Sequence, residues 1–220
     1  MIKPETLAFL TAVTANNNRE WFARHKELYE AAKADVIRFV EELIPVLSAA
    51  DPMVPLETQA KKCVMRIYRD VRFSKNKDPY KNNFGISFMI KQNNETGPEY
   101  YLHLQPGKSF FAAGYWMPQA AHLKSIREEI DYNASEFLEI IEAKSFTDLF
   151  TLSEQDTLKK APKGYEAEHP QIGLLKLKSF IATFPISDDE LYKSTIINHI
   201  KEAFVAVHPF VQFLRRAVVQ

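Results

Sequence analysis

Apolar positions recur at threes and fours near both ends of this chain and alternate with polar ones through its middle, which predicts helices flanking a sheet. Pro4 suits a first helical turn, and Leu7, Phe9, Leu10 and Val13 give a short amphipathic helix ending at the asparagine run. Asn17 with Glu20 reads as a capping box for a second helix. Its stripe of Trp21, Phe22, His25, Leu28, Tyr29, Ala32, Val36, Phe39, Val40 and Leu43 reads as one long buried face, which Pro45 should kink or end.

The β signal follows. Residues 63–73 read as a strand; Phe84, Ile86, Phe88 and Ile90 then alternate with Gly85, Ser87, Met89 and Lys91. After an NNETGP turn, Tyr100, Leu102 and Leu104 alternate with Tyr101, His103 and Gln105, and residues 110–116 supply another strand. Connections this short make an antiparallel meander rather than a helix-crossed parallel sheet. Pro118 starts a helix, Asn133 with Glu136 caps the next, and residues 174–184 read as a short helix followed by a strand from about Lys178. Ser187 with Glu190 caps a last helix, in which Ile197, Ile200, Phe204, Val207, Val211, Leu214 and Val218 form a coiled-coil-like seam. Pro209 should kink or break it near His208. The expected fold is α+β: an antiparallel sheet packed against long amphipathic helices, in a single domain over residues 1–220.

Charge changes the picture at one place. Residues 61–81, KKCVMRIYRDVRFSKNKDPYK, hold eight basic and two acidic residues, a net +6 in a chain whose total is zero. Such asymmetry concerns ligands and association rather than fold. If residues 63–73 are extended, Arg66, Tyr68, Asp70 and Arg72 share one face, while Met65, Ile67, Val71 and Phe73 share the other with Arg69. Asp70 would then hold a guanidinium in a fixed orientation, ready for a second anion. Pro79 makes residues 74–81 a loop, leaving Lys75, Lys77 and Lys81 reachable from solvent. The binding candidates are therefore Arg66, Arg69, Arg72, Lys75, Lys77 and Lys81. Asp70, Tyr80 and His103 are the groups placed for acid–base chemistry. A structural reading stands beside this: the same ions can form an internal salt-bridge network.

RIYRDVRFSKNKDPYK resembles the signature of a conserved bacterial family of unknown function, also found within longer fungal proteins. The pattern Arg, two residues, Arg-Asp, one residue, Arg-Phe, three residues, Asp or Asn, Lys, then Tyr is met at Arg66, Arg69, Asp70, Arg72, Phe73, Asn76, Lys77 and Tyr80. Further matches are Asn17 to Phe22, the Gly-x-Trp-x-Pro turn at Gly114 to Pro118, and Pro162 to Pro170. The resemblance implies membership and bacterial origin, and no catalytic residues or cofactor come with it.

Other features narrow the classes. Cys63 is the sole cysteine, so no intrachain disulfide or cysteine-based zinc site forms, and it reads as a buried small hydrophobe. The six histidines show no metal-ligand spacing, so no sequence-local metal site is expected, and only one assembled from distant carboxylates stays open. Tyr165 and His169 read as pocket rim or loop anchors. MIKPETLAFL lacks a secretion pattern and no apolar run could span a bilayer, so a soluble cytoplasmic protein without a membrane partner is expected. The first functional reading is a domain that binds, or acts on, an anionic phosphate-bearing small molecule. A nucleic-acid module is the alternative, disfavoured by a pI near 7.0, and an interaction protein whose motif is an internal lock is the third. The terminal seam packs either on its own domain or on a second copy.

Overall fold

The computed structural model describes residues 1–88, 91–92 and 95–219. In chain order the elements are α1 (Pro4–Ala15), α2 (Arg19–Arg24), α3 (Lys26–Ala50), α4 (Ala60–Cys63), β1 (Phe84–Phe88), β2 (Lys91–Gln92), β3 (Glu95–Thr96), β4 (Glu99–Leu104) and β5 (Ser109–Tyr115). They continue with α5 (Ala120–Tyr132), α6 (Ala134–Glu142), α7 (Lys144–Thr147), β6 (Thr151–Leu152), α8 (Ile172–Leu175), β7 (Phe180–Ile186), α9 (Asp188–Leu191) and α10 (Ile196–Val218). Five strands form an antiparallel sheet in the order β1-β4-β5-β7-β6, and β2 pairs with β3. The fold is α+β, as the hydrophobic pattern predicts, and β1, β4 and β5 are neighbours as a meander requires. The expected Met89 and Ile90 alternation and the Asn93-Asn94 turn lie outside the described residues.

The chain divides into two compact units. The first comprises Met1–Phe88, Tyr101–Phe111 and Pro185–Glu202. Here α1 lies on α3, with Leu10, Val13, Val36, Phe39, Val40 and Leu43 fully buried. The buried Asp35 carboxylate ties the two helices together by accepting from Lys3 N (2.9 Å), Thr6 Oγ1 (2.8 Å) and Arg38 Nη2 (2.7 Å). Burial pulls the Asp35 pKa upward, but hydrogen bonds from Arg38, the Lys3 backbone and Thr6 outweigh it and leave the carboxyl below its ordinary value.

The second unit comprises Met89–Tyr100, Ala112–Phe184 and Ala203–Gln220. Phe137 packs against Phe213 and Phe210 at 4.8 and 6.0 Å between ring centroids. Tyr100 sets its ring edge-on to Phe204 and its hydroxyl 3.0 Å from His208 Nδ1. Leu174 to Phe184 resolves into α8 and then β7, as read from the sequence. The two-residue strand β6, paired with Thr183 and Ala182, had no periodicity to announce it.

Several local expectations are corrected. Residues 63–73 do not form a strand. Cys63 ends α4, and beyond it Val64 and Tyr68 make single antiparallel bridges to Ile86 and Tyr80. The alternation there has no apolar face to bury: Ile67 is buried, but Met65 and Phe73 are 46% and 96% exposed. Side chains also capture the backbone that a ladder would use, since Asp70 Oδ1 accepts from Arg72 N (3.2 Å) and Asn76 Oδ1 from Asp78 N (2.8 Å).

The cap of α2 is Asn18, which accepts from Trp21 N, and the helix breaks at His25 before α3 begins. Glu20 pairs with Arg24 instead of closing a box on Asn17. Asn133 makes no side-chain cap and donates to Glu129 Oε1. The Ser187–Glu190 capping box is formed, but it opens the one-turn α9 rather than the last helix. Neither Pro45 nor Pro209 ends its helix; the flanking Leu43, Leu47, Phe210 and Val211 are fully buried, and packing sustains what propensity opposes. Ile200, Phe204, Val207, Val211 and Leu214 are likewise buried by the chain itself, so the seam packs internally.

Gly114, near the end of β5, adopts φ +127°, and a Cβ there would stand 2.0 Å from the Phe180 carbonyl oxygen. Gly107 has φ +66° with nothing near its missing Cβ. Gly114→Ala should therefore cost about 3 kcal/mol or more in urea denaturation, combining backbone strain with a main-chain clash. Gly107→Ala should cost only about 1 kcal/mol, and equal losses would refute the close approach.

Candidate functional site

The basic segment folds as an irregular arm of the first unit. Its base is a loose antiparallel ladder: Met65 N donates to Gly85 O (2.8 Å), Lys81 N to Ile67 O (2.7 Å) and Arg69 N to Pro79 O (2.9 Å). The arm is pinned at Tyr80. Asn17 Nδ2 donates to the Tyr80 carbonyl (3.0 Å) while Asn17 Oδ1 accepts from the Tyr80 N–H (3.1 Å), so one side-chain amide replaces a strand neighbour. The Tyr80 ring lies flat on Phe22, 3.9 Å between centroids, and Tyr68 leans on both rings at 5.5 and 6.0 Å. Phe22 is thus core, and Tyr80 is an anchor; burial, with Tyr68 nearby, pushes its phenol above the ordinary value.

Beyond the ladder the loop over residues 69–79 braces itself. Arg69, expected to need a partner, donates to Asp78 O (3.2 Å) and Ser74 Oγ (3.4 Å), and Lys77 Nζ donates to Val71 O (3.0 Å). Asp70 and Arg72 form a two-pronged pair, Nε to Oδ1 at 3.0 Å and Nη2 to Oδ2 at 2.6 Å. Their side chains are 46% and 77% exposed, so the pair stands in water and not in the interior. Hydrogen bonds from the Arg72 side chain and backbone, with Arg66 adding its field, hold the Asp70 carboxyl below its usual pKa. Such a carboxylate is a poor proton acceptor and a good orienter of Arg72.

Arg66, exposed, makes no hydrogen bond or ion pair among the described residues, and neither does the half-buried Lys81 ammonium. Burial lowers the Lys81 pKa and the neighbouring Arg66 lowers it further. Lys75 is exposed as well. The arm therefore brings Arg72 against Asp70 and Arg66 into the field of both Asp70 and Lys81, although not through the regular strand expected.

His103 sits elsewhere in this unit, on the less buried face of β4. Its Nε2 lies 2.8 Å from Gln105 Oε1, and its Nδ1 lies 3.1 Å from Tyr101 Oη and 3.4 Å from Asn83 Nδ2, with the ring stacked on Phe110 at 4.7 Å. Nε2 donates and Nδ1 accepts, which fixes a neutral imidazole; burial lowers its pKa against the opposing Gln105 hydrogen bond. Among the described residues no hydrogen bond joins His103, Asp70 and Tyr80, so the three acid–base candidates do not form one catalytic cluster. His169 is a loop anchor: Nε2 meets Asp131 Oδ1 (2.9 Å) and Nδ1 accepts from Gln171 N (3.1 Å). Cys63 is buried, and desolvation raises its thiol pKa. No group of three His, Cys, Asp or Glu side chains suited to a metal occurs among the described residues.

Two surface clefts, of about 340 and 520 Å³, lie in the second unit on either side of Arg216, one floored by Phe213 and the other by Tyr132. None of the sequence-predicted site residues lines either. Sequence reasoning missed Asn17 as the clip on Tyr80 and Asn83, Gln105 and Phe110 as the cage of His103. Asn17 and Asn83 lie far along the chain from their partners and Phe110 is on another strand, while Gln105, two residues after His103, was within reach of the strand alternation; an Asn that caps and an Asn that clips look alike in sequence.

Asn17→Ala should destabilise the protein by about 1–3 kcal/mol in urea and speed tryptic cleavage at Arg69 and Arg72, because two peptide groups lose their partner. For His103 the folded pKa lies below the ordinary 6.5, so its contribution is complete above pH 6.5 and is lost as pH falls from there through the lower folded pKa. His103→Gln should flatten that acid limb of a melting-temperature profile; an unchanged limb would refute the neutral, caged imidazole.

Among the described residues no helix is long and apolar enough to cross a membrane. No curated protein and no solved structure matches the chain. A family model does, over residues 5–213, with no activity attached: the chain belongs to the conserved hypothetical protein family DUF2461.

Proposed function

We propose that this protein binds an anionic, phosphate-bearing ligand on the arm, with Arg66, Lys81 and Arg72 as the principal contacts and Lys75 and Lys77 at the edge. One observation carries the reading. Lys81 is half-buried in the field of Arg66, and no carboxylate among the described residues pairs with either. Two like charges in such an arrangement repel, and the penalty is relieved by a ligand of opposite sign. Arg72, held by Asp70 through Nε and Nη2, presents its remaining N–H groups with little orientational entropy to lose, and guanidinium groups suit phosphate oxygens. Asp70 is engaged with Arg72, Tyr80 is buried, and both ring nitrogens of His103 are occupied. This favours binding over proton-transfer chemistry at the arm.

Inorganic phosphate and nucleotides should raise the melting temperature in a saturable manner, by the equivalent of about 2.7 kcal/mol at a hundredfold excess over Kd. The double substitution Arg66→Ala with Lys81→Met should remove that response while leaving the ligand-free protein folded. Binding should also weaken as pH rises through the Lys81 pKa, starting below the ordinary lysine value of 10.5, because the ligand favours the charged ammonium. An absent phosphate response, or one that survives the double substitution, would sink the proposal.

A further inference from the structure

We infer that the phosphate bearer is a single-stranded polynucleotide, its backbone on the arm's cations and its bases stacking on Phe73; this rests on the reading above and adds a polymer and an aromatic contact to it. Phe73 is 96% exposed although it lies in a braced loop, between the Asp70 turn and the Arg69–Ser74 contact. Exposing a whole phenyl ring on a fixed segment forgoes the gain from burying it, unless a ligand covers it. The Arg72 guanidinium stands over one face of the ring, 5.9 Å from its centroid, which leaves the opposite face for a base to stack on.

Tyr68 supplies a second ring, 49% exposed and wedged in place by Phe22 and Tyr80. Around these rings Arg66, Arg72, Lys75 and Lys77 are all exposed. Alternating aromatic and cationic side chains on an open strip are what a flexible phosphodiester chain can follow, gaining by repetition what it lacks in enclosure. An anionic bilayer fits less well, because membrane affinity grows with buried apolar area and the loop tip offers one phenyl ring. The rest of the chain carries −6, so attraction is confined to the arm.

The test is fluorescence anisotropy of a short labelled oligothymidylate titrated with the full chain, run beside the phosphate melting assay. The oligonucleotide should bind tighter than its mononucleotide and tighter than a duplex of equal length. Affinity should fall on the order of 100-fold between about 50 and about 200 mM salt if about five phosphates are contacted. Phe73→Ala should weaken the oligonucleotide about 10-fold while leaving the phosphate response intact, and Lys75→Ala with Lys77→Ala should make the salt dependence shallower. Oligonucleotide binding no tighter than the mononucleotide, or indifferent to Phe73→Ala, with phosphate still stabilising, overturns the polymer and leaves the phosphate site standing. Loss of both responses overturns both. Binding to phosphatidylserine vesicles without oligonucleotide binding overturns the inference and gives Phe73 to a membrane surface.

Discussion

Tyr80 is where the arm is made a fixed object. Its ring is sandwiched into the aromatic cluster of Phe22, Tyr29 and Tyr68, and both of its peptide groups are taken by the single amide of Asn17. A segment carrying eight positive charges would otherwise gain little by lying against the protein, since its own apolar residues are few and partly exposed. The stacking is worth about 0.5–1.5 kcal/mol beyond simple burial, and the clip about as much for each hydrogen bond. Those contributions are small individually, but they act at the point where the chain returns from the loop to β1. Everything said of Arg66, Lys81 and Phe73 as a surface depends on that return being rigid.

The helices and the meander were legible because their periods are long and their faces nearly pure. The run from Tyr29 to Leu43 keeps one apolar stripe, and Tyr100, Leu102 and Leu104 alternate without a fault. Termination was less legible. Proline is expected to kink or end two helices; neither helix ends there, and in both cases the residues around it are buried deeply enough for packing to sustain the helix. Caps shifted by a residue or moved to another helix because Asn and Ser compete for several backbone groups, and only tertiary structure decides which group wins.

The arm was misread for a related reason. Residues 64–68 have strand-like composition, and two single bridges are what remains of the strand. Asp70, Ser74 and Asn76 offer the chain local partners at close spacing, so the backbone turns back on itself before a ladder can propagate. The Asp70–Arg72 pair was nonetheless foreseen, because it needs only two residues of separation and not a particular ladder. The solvent exposure of that pair was not foreseeable. Exposure depends on what else packs over a segment, and here nothing in the local sequence carries that information.

The arm differs from the rest of the chain in how its charges are treated. On the helices, cations are neutralised one turn away: Arg24 by Glu20, Arg38 by Glu42, Lys124 by Glu128 and Lys144 by Asp148. That device needs a helix, since only there do side chains four residues apart become neighbours. The arm is not helical and contains two carboxylates, one already committed to Arg72. A fully hydrated lysine costs the fold nothing, and Lys75 is placed that way, while Lys77 is exposed but donates to Val71 O. Lys81 is not so placed: it is drawn partly out of water and set beside Arg66, an arrangement that raises the energy of the empty protein. Lys81 therefore differs from the helix cations in kind: each of those has a carboxylate one turn away, while Lys81 has a second cation as its charged neighbour.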